Sequence, residues 1–165
     1  MSLIKVLAVS ATAVAYAIAV PQGTVASIPK GRPMMITFIN RDCPHSWVAA
    51  PFFKRLAEAY GSGSMLGVIN CNSKGYADYQ KKFMPPFAAL FDPHLKIIRS
   101  YKVETAPTTL LIDAKGKVVR RWAGVSDKYY LEISAEMSKI TNTPYKALPT
   151  DGLPTYPQAG CSFGP

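Results

Sequence analysis

The sequence has few acidic residues, and the positive charge that results favours some classes of partner over others. Ten aspartates and glutamates stand against 19 lysines and arginines among 165 residues, giving a formal net charge of +9. The balance favours acidic proteins or anionic membrane surfaces as partners and says nothing about the fold. The basic residues are scattered, and neither an arginine-rich arm nor an aromatic–basic motif accompanies them. We therefore expect no nucleic-acid partner.

Histidine and cysteine are also scarce. With only two histidines, the chain offers few of the three or four converging ligands that a metal centre needs, so we expect no metal and no cofactor. The three cysteines are an odd number, which leaves at least one free thiol or an intermolecular partner in an exported protein. A chain of this length, 48% hydrophobic, is long enough for one domain with its own core.

The first twenty residues, MSLIKVLAVSATAVAYAIAV, carry a single charge, Lys5. An apolar stretch follows it and ends in Ala17-Ile18-Ala19, which is typical of a secretory cleavage site. No arginine precedes Arg32, so a mitochondrial transit peptide is disfavoured. We interpret residues 1–19 as a signal peptide or, because their length approaches a bilayer span, as a membrane anchor. Export to the periplasm or the extracellular space follows from this interpretation, with membrane association if the segment is retained.

Residues 20–140 alternate between strand and helix patterns. The apolar run MMITFIN predicts a buried strand, and Val48, Phe52, Leu56 and Tyr60 lie on one stripe of the helix predicted to follow, which Pro51 should kink. MLGVIN predicts a second strand and KGYADYQKKF a short helix. The segment MPPFAALFDPHLKIIRSY stays undecided between helix and strand.

The end of this region has the clearest pattern in the chain. TTLLIDAKGKVVRRWAG predicts two strands joined by a turn at Gly116, and a final helix should start after Ser126 as its N-cap, with Tyr130, Ile133 and Met137 on one side. Residues 141–165 contain five prolines, which exclude regular helix or central strand. They predict an extended arm that docks on the domain or on a partner.

The predicted order of elements brings Cys43 from the end of a strand to the start of a helix. A helix N-terminus offers unpaired N–H groups and the positive end of the dipole, both of which favour a thiolate, the nucleophile of thiol–disulfide exchange. The residues Cys43-Pro44-His45-Ser46 occupy this position, and Ala106-Pro107-Thr108 precedes the hairpin.

With Pro51 inside the helix and Gly124 after the last strand, these motifs resemble a thioredoxin-fold protein over about Gly31 to Ile140. The resemblance implies an α/β, three-layer sandwich with a central mixed sheet flanked by helices. The long interval between Cys43 and Pro107 is similar to the redoxin branch, which includes TlpA-like exported thioredoxins and peroxiredoxins. A peroxiredoxin is disfavoured, because its P-x-x-x-T-x-x-C motif would need Pro and Thr where this chain has Ile36 and Asn40.

The resemblance implies roles for the residues of the site. Cys43 would be the catalytic nucleophile, Pro44 and His45 would tune it as in the C-P-H-C motif of DsbA-type oxidases, and Ser46 would hydrogen-bond the sulfur. Ala106 and a cis Pro107 would bind the backbone of a protein thiol or disulfide substrate, expected to be acidic, and Trp47 would lie on the substrate face or in the core. The second cysteine of the motif is missing, and Thr37 stands where thioredoxins carry a buried acid.

Three functional hypotheses remain open. In the first, Cys43 works as a monothiol whose mixed disulfide is released by another thiol. In the second, the chain is a redox-inactive binding or structural subunit of a membrane-associated complex. In the third, Cys71 or Cys161 is a displaced resolving cysteine. For these two cysteines we favour a structural role, either a half-buried Cys71 or a Cys71–Cys161 disulfide that tethers the tail and leaves Cys43 free.

Overall fold

A five-stranded mixed sheet forms the centre of the protein in a computed structural model that describes residues 28–164. The strands are Met34–Ile39 (β1), Met65–Ile69 (β2), Ala88–Phe91 (β3), Thr105–Ala106 (β4), Thr108–Ile112 (β5), Val118–Ala123 (β6) and Cys161–Ser162 (β7). The central sheet has the strand order β3-β2-β1-β5-β6, and a separate two-stranded sheet pairs β4 with β7. The helices are Pro44–Tyr60 (α1), Ser73–Phe83 (α2), Lys96–Ser100 (α3) and Asp127–Thr141 (α4).

The strand pairing follows from the apolar runs of the sequence. Every residue of β1, β2 and β5 is buried, as expected for strands covered on both faces. β1 runs parallel to β2 and antiparallel to β5, and β2 runs parallel to β3, so the sheet is mixed. β5 and β6 form the predicted hairpin, with Gly116 at φ 85° in the turn. The predicted fold class is confirmed.

Alternating residues of the strands pack against opposite layers. On one face, Met35, Leu111 and Trp122 lie in a core with α1 and α4, including the predicted inward residues Tyr130, Ile133 and Met137. On the other face, Ile36, Phe38 and Leu110 pack in a core that contains Ile97 and Ile98 of α3. Cys43 follows the end of β1, the central strand of the sheet.

Two local expectations are settled by the structure. Pro51 lies inside α1, as expected, but Val48 does not belong to the buried stripe: its side chain is 42% exposed, while Phe52, Leu56 and Tyr60 are buried. The undecided segment forms β3 and then the short helix α3. The Asp92 carboxylate starts that helix by accepting hydrogen bonds from the amides of Lys96 (2.8 Å) and Ile98 (2.9 Å).

The tail docks on the domain itself. Leu148 and Leu153 pack against the core between the sheet and α1 and α4, and the Tyr60 hydroxyl accepts a hydrogen bond from the Lys146 amide (2.9 Å). Farther along, Val125 and Gln158 exchange two backbone hydrogen bonds (3.2 and 3.1 Å). The tail therefore returns across the domain toward the N-terminus of α1.

The expected signal peptide or anchor at 1–19 lies outside the described residues. Within residues 28–164, no helix combines the length and the apolar character that crossing a bilayer requires.

Leu56 and Val48 provide a matched test of the packing of α1. Leu56 is 0% exposed, so Leu56→Ala should lower the free energy of unfolding by about 2–5 kcal/mol. Val48→Ala on the exposed side should change it by no more than about 0.5 kcal/mol. Urea unfolding of both variants checks the prediction, and similar losses for the two would contradict this assignment of the helix faces.

Candidate active site

Cys43 lies at the junction of β1 and α1, where the sequence predicts the nucleophile. It is the N-cap residue of α1, with extended backbone (φ −87°, ψ 121°), and Pro44 begins the helix. The Cys43 carbonyl accepts a hydrogen bond from the Trp47 amide (3.1 Å). A free thiol here would meet the positive end of a 17-residue helix, which favours the anionic form of the sulfur.

The Cys43 sulfur forms a disulfide with Cys161 of the tail, with 5.8 Å between the Cα atoms and 118 residues between the two in sequence. The expected Cys71–Cys161 disulfide is therefore wrong, and so is its corollary that Cys43 is the free thiol. Cys71 is the free cysteine instead. The number of cysteines alone cannot predict which two of them pair, because the path of the tail decides which sulfurs lie within bonding distance.

The tail reaches Cys43 as a strand. β7 pairs antiparallel with β4, through the residue pairs Thr105↔Ser162 and Ala106↔Cys161. The Phe163 amide donates a hydrogen bond to the Glu104 carbonyl (3.1 Å), and the Asn40 side-chain amide donates one to the Ser162 carbonyl (3.3 Å). The Ala106–Pro107 peptide bond is cis, as the resemblance predicts. The backbone expected to bind a substrate is therefore paired with the chain's own tail.

Backbone groups surround the Cys43 sulfur. The Cys161 amide donates a hydrogen bond to it (3.3 Å), and the Ala106 carbonyl oxygen lies 3.5 Å away, close enough to accept from the thiol once the disulfide is reduced. Cys43 is 1% exposed, so the docked tail covers it. The expected hydrogen bond from Ser46 to the sulfur is not present: the Ser46 hydroxyl is buried and has no partner among the described residues.

His45 is half-buried beside the disulfide, and its Nδ1 atom is buried without a hydrogen-bond partner in the described part of the chain. One ligand atom each of Cys43, His45 and Cys161 lies within 4.8 Å of the others. This convergence is not visible in the sequence, because Cys161 comes from the tail and its position depends on the fold. In the disulfide the sulfurs are not thiolates; after reduction, two thiolates and an imidazole would be donors of the kind that Cu(I) and Zn²⁺ prefer.

Two glycines, not singled out as site residues in the sequence, allow the tail to approach so closely. A Cβ atom on Gly160 would overlap the Ala106 carbonyl oxygen, and a Cβ atom on Gly124 would overlap the Gln158 carbonyl oxygen. Gly124 also has φ 99°, which L side chains rarely adopt. The position of Gly160 directly before Cys161 is visible in the sequence. Its steric role can be recognised only when the Ala106 backbone is known to lie opposite.

The remaining predicted residues frame the site. The Trp47 indole N–H donates a hydrogen bond to the Arg41 carbonyl (2.7 Å), and the Lys82 ammonium lies 4.1 Å from the centre of the Trp47 ring. Trp47 therefore braces the loop before Cys43. The flanking charges pair with each other, Arg41 Nε lying 3.0 Å from an Asp42 carboxylate oxygen. This pairing limits the net field that either charge exerts on the cysteine.

Thr37 lies in the middle of β1 and is fully buried. Its hydroxyl oxygen accepts a hydrogen bond from the Thr109 hydroxyl across the strand pair (3.5 Å). A neutral hydroxyl pair thus occupies the level of the sheet where thioredoxins carry the buried acid.

Comparison with known proteins assigns the family. The AhpC/TSA family matches residues 18–121. The chain belongs to the AhpC/TSA family. None of the curated proteins is significantly similar to it in sequence.

Solved structures similar to this AhpC/TSA member have thioredoxin-like folds. DsbF of Mycobacterium tuberculosis is 19% identical, with a TM-score of 0.58 over 68% of this chain and 83% of that one. The exposed lipoprotein thioredoxin Etrx1 of Streptococcus pneumoniae is 22% identical, with a TM-score of 0.56 over 67% and 86%. StoA of Bacillus subtilis is 23% identical, with a TM-score of 0.51 over 57% and 75%. At these identities the likeness establishes the fold.

Cys71 should be the least reactive thiol of this AhpC/TSA member after reduction. Burial raises the pKa of the Cys71 thiol to about 11, which outweighs the opposing effect of Arg41. Below that pH the thiol stays protonated, so alkylation at pH 7–8 should be much slower than for a free cysteine of pKa about 8.5. Peptide mass spectrometry after timed alkylation checks this, with urea-unfolded protein as the control. Rapid labelling of Cys71 in the folded protein would contradict the prediction.

Proposed function

We propose that this protein carries out thiol–disulfide exchange with other proteins, using Cys43 as the nucleophile and Cys161 as the second thiol. The observation that carries the proposal is the Cys43–Cys161 disulfide, formed at a helix N-terminus and beside the Ala106–Pro107 backbone. One sulfur belongs to the domain and the other to β7, which pairs with β4 outside the five-stranded sheet, so opening the disulfide leaves the main sheet intact.

The exchange needs two balanced steps. The Cys43 thiolate attacks one sulfur of a substrate disulfide, the substrate S–S bond breaks, and the second substrate sulfur leaves as a thiolate. The Cys161 thiolate then attacks the Cys43 sulfur, which forms the observed disulfide and releases the first substrate sulfur. The substrate gains two electrons, and the Cys43–Cys161 pair loses them. A second protein dithiol would return the pair to its reduced state by a different order of attack. One of its thiolates attacks the Cys161 sulfur and expels the Cys43 thiolate, and its other thiolate then attacks the mixed disulfide, which forms the reductant's own disulfide and releases the Cys161 thiolate.

This proposal replaces the external release step of the monothiol hypothesis. Within the motif Ser46 cannot attack a sulfur, since a hydroxyl supplies no useful anion near neutral pH. Cys161 supplies the missing thiol from the tail, and its amide already contacts the Cys43 sulfur. In this proposal the Ser46 side chain, which is buried without a hydrogen-bond partner, has a packing role in the first turn of α1 and no chemical one.

The two sulfurs differ in access. Cys43 is 1% exposed, while Cys161 is half-buried. An incoming thiolate is therefore expected to attack the Cys161 sulfur and to expel Cys43, whose anion the helix N-terminus stabilises as a leaving group. Reduction in this order releases the tail and exposes Cys43 in the same step.

The redox-inactive alternative rests on the same disulfide. A bond that joins residues 118 apart can simply fasten the tail to the domain, as structural disulfides do. Such a bond resists reduction by glutathione, whereas a catalytic one exchanges with it. The response of this bond to a series of glutathione redox buffers therefore separates the two functions.

Cysteine variants test the exchange. Cys43→Ser should reduce catalysed reduction of insulin by dithiothreitol to the uncatalysed rate, because the nucleophile is gone. Cys161→Ser should slow turnover and accumulate mixed disulfides between Cys43 and the substrate, visible on non-reducing gels. Cys71→Ser is the matched control and should leave the rate unchanged.

Two outcomes would revise the proposal. Full turnover by the Cys161→Ser variant would restore the monothiol hypothesis, in which an external thiol releases the substrate. No turnover by the unaltered protein, with a disulfide that glutathione does not open, would leave the structural role.

We also propose that the protein is exported and that its substrates are acidic. The N-terminal residues have the pattern of a cleaved signal, and the exposed lipoprotein thioredoxin Etrx1 of Streptococcus pneumoniae shares the fold. The net charge of +9 should speed encounter with acidic proteins, an effect that added salt weakens. A turnover rate that does not fall with added salt for an acidic substrate would contradict the second part.

Export predicts a defined N-terminus. Cleavage after Ala19 should leave a chain beginning at Val20, because Ala17-Ile18-Ala19 fits the small-residue rule. Mass spectrometry of the N-terminal peptide from protein isolated from its own cells checks this. A chain that retains residues 1–19 in the soluble cell fraction would overturn the proposal, and retention in the membrane fraction would indicate an anchor.

A further inference from the structure

We propose that the surface beside Cys43 is a groove for an extended polypeptide whose cysteine follows a glycine and precedes, by two residues, a large apolar side chain. The chain's own residues 160–163, Gly-Cys-Ser-Phe, are the resident occupant of this groove. The inference rests on the proposed exchange function and adds the class of substrate to it.

Backbone contacts define the direction of the bound segment. The tail lies antiparallel to β4, with Cys161 opposite Ala106. The Phe163 amide bonds to the Glu104 carbonyl, and the Asn40 side chain bonds to the Ser162 carbonyl. These contacts use only main-chain groups of the tail, so another extended segment could make them all. The backbone of the groove therefore fixes register and direction without selecting a sequence.

Selection begins at the residue before the cysteine. Gly160 lies so close to β4 that a Cβ atom would overlap the Ala106 carbonyl oxygen and crowd the Pro107 nitrogen at 3.1 Å. Both obstacles are backbone, which cannot rotate aside as a side chain can. Any residue other than glycine at this point would push the segment away from Ala106, and the cysteine with it.

Selection continues two residues after the cysteine. Phe163 is only 8% exposed and belongs to the core that contains Ile98 and Val103. A pocket of about 380 Å³ lies beside it, lined in part by Leu95 and Lys102, so this end of the groove has room for a large side chain. Burial of an apolar side chain of this size favours binding. Ser162, between Cys161 and Phe163, is exposed, so the groove does not select a side chain at this position.

The tail and a substrate would compete for one site. While β7 is docked, Cys43 is covered, so a substrate of this class can enter only when the tail leaves. The chain's own segment is held by proximity as well as by fit, and a separate polypeptide needs the same features to replace it. The features of the tail are therefore a guide to those of the substrate.

The test uses the full chain with the tail released. Cys161→Ser together with Gly160→Val should remove the competing thiol and dislodge the tail by the clash with Ala106, without changing the domain. Cys161→Ser with Phe163→Asp releases the tail by a second route, and Cys161→Ser with Ala159→Val is the matched control, because Ala159 is exposed. Circular dichroism and thermal unfolding verify that each variant is folded.

The probes are three synthetic peptides: the tail sequence QAGCSFG, a version with valine before the cysteine, and a version with serine in place of phenylalanine. Each carries thionitrobenzoate on its cysteine as a mixed disulfide, and glutathione with the same leaving group is the reference. The Cys43 thiolate attacks the peptide sulfur, the bond to thionitrobenzoate breaks, and the coloured thiolate that leaves reports the rate.

We expect both tail-released variants to react with the parent peptide at least ten times faster than with either altered peptide or with glutathione. The Ala159→Val control should react more slowly with the parent peptide, because its tail stays docked. Rates for the three peptides within twofold of each other would overturn the groove proposal while leaving exchange at Cys43 intact. No reaction with any probe, glutathione included, would overturn the proposed function instead.

Discussion

The close approach of two backbones, at Gly160 and Ala106, is the constraint on which the site depends. The Cys43 and Cys161 sulfurs can bond only if the tail strand lies against β4, and no side chain fits between them there. Gly124 allows the second close passage, where the tail crosses at Gln158. Covalent chemistry at Cys43 therefore rests on steric requirements at positions that carry no reactive group.

In a dithiol motif both cysteines lie in one turn of a helix, whereas here Cys43 and Cys161 lie in two separate segments. In the proposed exchange, the nucleophile is fixed at the N-terminus of α1, and the second thiol is carried by a strand that leaves when the disulfide opens. Oxidation state and access to the groove would then be coupled, because forming the disulfide closes the surface that a substrate would use and breaking it permits the surface to open. Asn40 fits this arrangement, because its amide holds the Ser162 carbonyl of the tail at the position where a peroxiredoxin would have its threonine.

The sequence predicted the fold and the position of Cys43 at the start of a helix well, because both follow from local patterns. Fully apolar runs identify buried strands, Ser126 marks the start of α4, and the Ala106–Pro107 motif marks the loop beside Cys43. Family membership agrees with the resemblance. Helical periodicity failed at Val48, whose side chain is exposed.

The site could not be completed from the sequence, because its second half is non-local. The choice between Cys71 and Cys161 as a partner depends on the path of some twenty residues of Pro-rich chain, which has no periodicity to read. The role of Gly160 is defined by an oxygen atom of a residue 54 positions away. Ser46 was expected to contact the sulfur through its neighbourhood in sequence, but the first turn of α1 buries it and leaves its hydroxyl without a partner.

The separation of 118 residues between the two bonded cysteines also sets an order of events in time. A growing chain exposes Cys43 long before the ribosome has made Cys161, so every molecule passes through a stage with one of these two thiols and no partner for it. During that stage Cys71 is the nearest alternative in sequence, and it too is made before the tail. The Cys43–Cys161 disulfide can therefore form only after synthesis has reached the tail.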